Sequence, residues 1–163
     1  MQNEIPLVMN WNSYTEVSDY LSGLCLICKE KPTFLSAGPD ESYLNLLDKV
    51  AKTSTVLLDD IEEGSFLTKA LYQCETSTIR FFVLSDINFG DKSNMNSTID
   101  KNKYIAKGII AKIIHDSEDD EYMQVLSSSH KDVVALNGTL YGVMSELVIR
   151  GKLLEYDENL WEQ

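Results

Sequence analysis

The segment Ile79-Arg80-Phe81-Phe82-Val83-Leu84 is rich in aromatic and β-branched side chains, with Ser77-Thr78 before it and Ser85-Asp86 after it. Such side chains crowd a helical turn at χ1 but pack well on a pleated surface, so the segment is read as a strand in the core. The chain around it has 163 residues, the usual size of one domain with one core of ordinary proportions. With 44% hydrophobic and 25% charged residues its composition is globular, too apolar for disorder and too polar for burial in lipid. One globular domain over residues 1–163 is expected.

Ahead of that strand the pattern is mostly helical. Ser13-Tyr14-Thr15-Glu16 fits a capping box, in which a serine hydroxyl and a glutamate carboxylate satisfy free N–H groups at a helix start. Val17, Tyr20, Leu21, Leu24, Cys25 and Cys28 then recur at three- and four-residue spacing, and Lys29-Glu30-Lys31-Pro32 ends the helix. Gly38-Pro39-Asp40-Glu41 places proline and two acids in a first turn, and Tyr43, Leu44, Leu46, Leu47 and Val50 continue a second helix. Val56-Leu57-Leu58 reads as a short strand. Leu67, Ala70, Leu71 and Cys74, after an acidic start, predict a third helix.

Beyond Leu84, Asp86 to Lys103 is crowded with Asn, Asp, Ser and Gly and reads as a long mobile loop. Tyr104 to Ile114 fits helix and strand almost equally, and its isoleucines favour a strand. Glu121 to Ser128 would pair with it as a hairpin across His115-Asp116-Ser117-Glu118-Asp119-Asp120. From Asp132, the positions Val133, Leu136, Leu140, Met144, Leu147 and Val148 keep helical spacing up to Gly151. Against that helix, Asn137-Gly138 is also a hairpin signal. Lys152 to Tyr156 would add a short strand. The expected class is α+β, with amphipathic helices packed on a small, mainly antiparallel sheet and a helix near the carboxyl end.

Charge narrows the partners. The chain has 14 Lys and Arg against 26 Asp and Glu, a formal net charge of −12. Neutralising phosphates needs a basic surface, so neither nucleic acid nor anionic lipid is an expected partner. The longest apolar stretches, Leu24 to Cys28 and Ile79 to Leu84, fall far short of the roughly 20 residues that span a bilayer. Residues 1–16 lack a basic n-region and an apolar h-region and read as the first structured element rather than a secretory signal. Three cysteines, Cys25, Cys28 and Cys74, are too few and too odd in number for a disulfide framework, which points to a reducing compartment, the cytoplasm. A field of this sign attracts basic proteins or simply maintains solubility.

No motif supplies a reaction. Cys25-Leu26-Ile27-Cys28 could join Cys74 and His115 or His130 in a zinc site, but structural zinc sites carry a second close pair. Both cysteines also continue an apolar stripe, where cysteine behaves as a small hydrophobe. A redox C-x-x-C should open a helix after a strand, and this one closes a helix. His115 and His130 stand beside acidic and serine-rich segments and read as solvated. Calcium loops of EF-hand type need Gly at the sixth position and Glu at the twelfth; counting from Asp116 gives Glu121 and Ser127, and from Asp86 gives Asp91 and Ser97. There is no nucleophile elbow, zinc-protease, phosphate-loop or dinucleotide motif. No metal or cofactor is expected.

What remains is acidic surface. Asp116, Glu118, Asp119, Asp120 and Glu121 form the densest cluster, followed by Asp59, Asp60, Glu62 and Glu63, and both are candidates for contact with a basic protein. The expected role is a non-enzymatic protein-binding module, an acidic inhibitor of immunity type that neutralises a basic partner such as a toxic nuclease. A small acidic chaperone for a secreted effector is one alternative. An enzyme with dispersed carboxylates or Cys74 is the other.

Overall fold

A computed structural model describes residues 5, 8, 10–37, 43–59, 62–69, 72–87, 92–118, 123–153 and 158–160. Ser13 caps the first helix, its Oγ accepting from the Glu16 N–H at 3.3 Å, and α1 (Tyr14–Ile27) begins there. The Glu16 carboxylate reaches farther back than a capping box requires, accepting from the Asn10 N–H at 2.7 Å. The expected stripe is buried through Val17, Tyr20, Leu21, Leu24 and Cys25. Extended backbone at Cys28 stops the helix, and Lys31, at φ +47°, donates from Nζ to the Leu26 carbonyl at 2.6 Å.

After β1 (Thr33–Ser36) come a single turn, α2 (Tyr43–Leu46), a 3₁₀ turn (Leu47–Lys49) and β2 (Thr55–Leu58). Then follow β3 (Glu62–Lys69), β4 (Tyr72–Asp86), the long α3 (Lys92–Ser117), β5 (Gln124–Leu136), β6 (Leu140–Leu153) and a closing 3₁₀ turn (Glu158–Leu160). Among the described residues the strands make one sheet in the order β1-β2-β4-β6-β5, with β3 also paired to β4. β1 and β2 run parallel and every other pair is antiparallel. The class is α+β, as the pattern implies. No described helix is long and apolar enough to cross a membrane.

The Ile79–Leu84 run lies in β4, and its alternate residues feed two cores. Ile79, Phe81 and Val83 join Val143, Leu147 and Ile149 of β6 under α1 and α3. Phe82 and Leu84 face the other way, with Leu57, Leu140, Leu46, Leu47 and Val50. A strand covered on both faces is apolar at consecutive positions.

Several expectations give way. The predicted third helix is the β3–β4 hairpin: Leu67 and Cys74 are paired opposite each other, while Ala70 and Leu71 lie outside the described residues. Of the second helix, residues 38–42 lie outside the described residues and the rest is only α2 and its 3₁₀ turn. Most of the predicted mobile loop, and all of the isoleucine-rich strand, belong to α3. Its buried line runs through Asn102, Ile105, Ala106, Ile109, Ile113 and Ser117, and two polar residues in that line hide its helical period from a hydrophobicity pattern.

The predicted helix from Asp132 is instead the β5–β6 hairpin, turning at Asn137 (φ +49°) and Gly138 (φ +88°), as the Asn-Gly dipeptide signals. Its alternation is masked because Ser145 holds a buried position while Met144 and Val148 bring apolar groups to the second face. Residues 121 and 122 lie outside the described residues, and the strand that follows pairs with β6 rather than with the isoleucine-rich segment. β6 extends through Leu153, so it takes in the start of the expected Lys152–Tyr156 strand, whose remainder lies outside the described residues. At the described carboxyl end there is only the 3₁₀ turn, not a full helix.

α3 is fastened to the sheet by a polar pin. Asn102, fully buried, donates from Nδ2 to the Ser85 hydroxyl and to the Tyr141 carbonyl, each at 3.1 Å. Beside it, a Cβ placed on Gly142 would stand 1.9 Å from the Val83 carbonyl oxygen and 3.1 Å from Asn102 Nδ2. Only glycine lets β4, β6 and α3 approach this closely. Gly108, by contrast, has open space where a Cβ would go. Gly142→Ala should therefore destabilise the fold by about 2–3 kcal/mol. Gly108→Ala should stabilise it by about 0.5–1 kcal/mol through helix propensity. Urea denaturation of the two variants checks these opposite signs.

Candidate functional site

Asp116, the first member of the predicted acidic cluster, is not a loop residue. It sits in the last turn of α3, four residues after Lys112, whose Nζ donates to Oδ1. Tyr20 of α1 donates its hydroxyl to Oδ2 at 2.8 Å, and His115 Nδ1 lies 3.5 Å from Oδ1. Burial disfavours the charged Asp116 carboxyl, but the Lys112 and Tyr20 hydrogen bonds, the Lys112 charge and His115 outweigh it and hold its pKa below the usual carboxylate range. The same contact, added to burial, pushes the Tyr20 phenol well above its ordinary value. Asp116 therefore ties α3 to α1. Glu118 follows as an exposed residue whose N–H donates to the His115 carbonyl at 3.2 Å; Asp119, Asp120 and Glu121 lie outside the described residues.

The second acidic segment divides in the same way. Asp59, at the end of β2, is buried, and its N–H donates to the Arg80 carbonyl at 3.0 Å. Its Oδ2 stands 3.8 Å from Arg80 Nη1, while Arg80 Nη2 donates to Glu146 Oε2 at 2.9 Å. These three residues form an ion cluster on the sheet face opposite α1 and α3. Glu62 and Glu63 are in β3, with Glu62 opposite Thr78, and Asp60 lies outside the described residues. A hint of this cluster was present in the chain: Arg80 is the charged residue inside the apolar Ile79–Leu84 run, a placement that needs a counter-charge.

The cysteines and histidines gather in no common metal site among the described residues. Cys25 is buried in α1 with its thiol pushed up to about 12 by burial and by Cys28; Cys74 is buried in β4; His115 and His130 are exposed on α3 and β5. Among the described residues no three His, Cys, Asp or Glu side chains gather to hold a metal. Cys25 packs in the core with Val17, Leu21 and Leu24, and burial disfavours its thiolate.

No protein-family model matches the sequence, and no curated protein matches it. The chain carries two kinds of acid here: Asp116 and Asp59, engaged within the fold, and Glu118, turned to solvent.

Because the Asp116 pKa is lowered on folding, its contribution to stability is complete above the unfolded value, near about 3.9, and is lost as pH falls through the folded value. Asp116→Asn should cost about 1 kcal/mol at neutral pH, with the difference from wild type shrinking below about pH 4. Thermal melts of both proteins across the acid range measure this.

Proposed function

We propose that the protein is a non-enzymatic protein-binding module, an acidic inhibitor of immunity type acting in the cytoplasm on a basic partner such as a toxic nuclease. The observation that carries the reading is the net charge of −12, whose field draws in a basic protein and repels competing polyanions. A carboxylate-rich surface can occupy the groove that a nuclease offers to phosphate. Glu118 and the acids that follow it, Asp119, Asp120 and Glu121, are assigned the contact, with Asp60, Glu62 and Glu63 as a second patch. Asp116 and Asp59 are instead engaged with Tyr20 and Lys112 and with Arg80 within the fold.

The test begins with identification of the partner by pull-down and then measures association rate against ionic strength. Changing Glu118, Asp119, Asp120 and Glu121 together to Gln or Asn should slow association about tenfold at low salt. Added salt should bring the wild-type rate down toward that of the variant. If these acids act through long-range attraction, stability should stay within about 0.5 kcal/mol of wild type. Equal rates for the two proteins at low salt would move the binding surface elsewhere.

A further inference from the structure

β5 is the last strand in the sheet order, and among the described strands it pairs only with β6. From Leu126 to Asp132 its side chains are exposed on both faces, and Leu126 and Val134 are 44% and 65% exposed. An edge of this kind offers a row of backbone donors and acceptors to another strand. Its ladder is irregular at two places, between Val125 and Ser127 and between Val133 and Leu136. These bulges bracket an even stretch, Ser127–Val133, with no proline or glycine and with His130 at its midpoint.

That stretch is locally neutral. Lys131 and Asp132 cancel, in a chain whose net charge is −12. A basic partner gains nothing from it, whereas a second copy meets no like charge there. We propose that two copies of the chain join through antiparallel pairing of β5 with β5, with His130 on the two-fold axis. A two-fold axis normal to the sheet preserves its faces, so a residue must meet its own counterpart at the centre. Ser128 then stands opposite the partner's Asp132, Ser129 opposite Lys131, and Ser127 opposite Val133. Within the paired stretch Lys131 and Asp132 each face a serine, and both bulges fall outside it.

Lys103 Nζ is bound to Asp132 Oδ1 at 2.7 Å, which fixes the flank of α3 that overlooks the edge. Lys107 and Ile114 continue that flank at helical spacing, and Ile114 is 39% exposed. Pairing extends one sheet through both copies, with both α3 helices on the same face.

The experiment uses the full chain near physiological salt, where repulsion between distant charges is screened beyond about 8 Å. Sedimentation velocity should show a dimer at micromolar concentration. His130→Cys should form a disulfide-linked dimer under mild oxidant, because cross-strand Cβ atoms lie about 4.5–5.5 Å apart. Ser127→Cys should not, since it stands about 20 Å from its own copy. The wild type, with Cys25, Cys28 and Cys74, serves as control. Ser128→Asp, facing Asp132, should weaken the dimer, and Ser128→Lys should strengthen it, each by several-fold. Ser128 is exposed, so neither change threatens the fold. A chain that stays monomeric would leave the edge to a strand from another protein and overturn the proposal. Equal cross-linking at Ser127 and His130, or effects of one sign from both Ser128 variants, would overturn it as well.

Discussion

The antiparallel pairing of β4 with β6, running from Cys74 opposite Leu153 to Asp86 opposite Leu140, supports every other layer of this protein. On its far side β4 accepts β2 along one half and β3 along the other, and β6 accepts β5. The residues that alternate along this pair supply both cores, so neither helix layer has a surface to pack on until the pair exists. Its tightest point is Gly142 against the Val83 carbonyl, where missing side-chain volume lets strand and helix meet.

α3 connects β4 to β5 in sequence and covers β4 and β6 in space. A long helix with Asn at a fully buried position would be unstable alone, since desolvating an amide without partners is unfavourable. Here the Ser85 hydroxyl and the Tyr141 carbonyl take the Asn102 protons, so the polar residue specifies where along the sheet the helix sits. At its far end, Asp116 and Tyr20 hold α3 to α1, which fixes the two helices on one face relative to each other.

Charge is therefore used in two ways. Part of it is engaged in pairs within the fold: Asp59 with Arg80 and Glu146, Asp116 with Lys112 and Tyr20, and, at the exposed edge, Asp132 with Lys103. Cations are fewer than acids, 14 against 26, so such pairs leave a surplus of carboxylates. The net negative charge and the locally neutral stretch of β5 are thus separate features of the chain.

Much of the first half of the chain could be read locally. The cap at Ser13, the buried face of α1 and the strands at Val56–Leu58 and Ile79–Leu84 follow from nearest-neighbour chemistry: a hydroxyl near a free N–H, a helical period, a β-branched run. The acidic balance was equally plain, and so was the α+β class. What the sequence left open was settled by contacts between distant residues. Tyr104–Ile114 can bury one side as a strand or as a helix, and it became a helix because Ile105, Ala106, Ile109 and Ile113 meet β4 and β6. The segment after Asp132 became a hairpin because β4 offers β6 a long ladder of hydrogen bonds, which no periodicity count can see. The acids of the candidate site divided the same way: a carboxylate's sign is written in the chain, but whether it faces Tyr20, Arg80 or solvent depends on which distant donor the fold brings beside it.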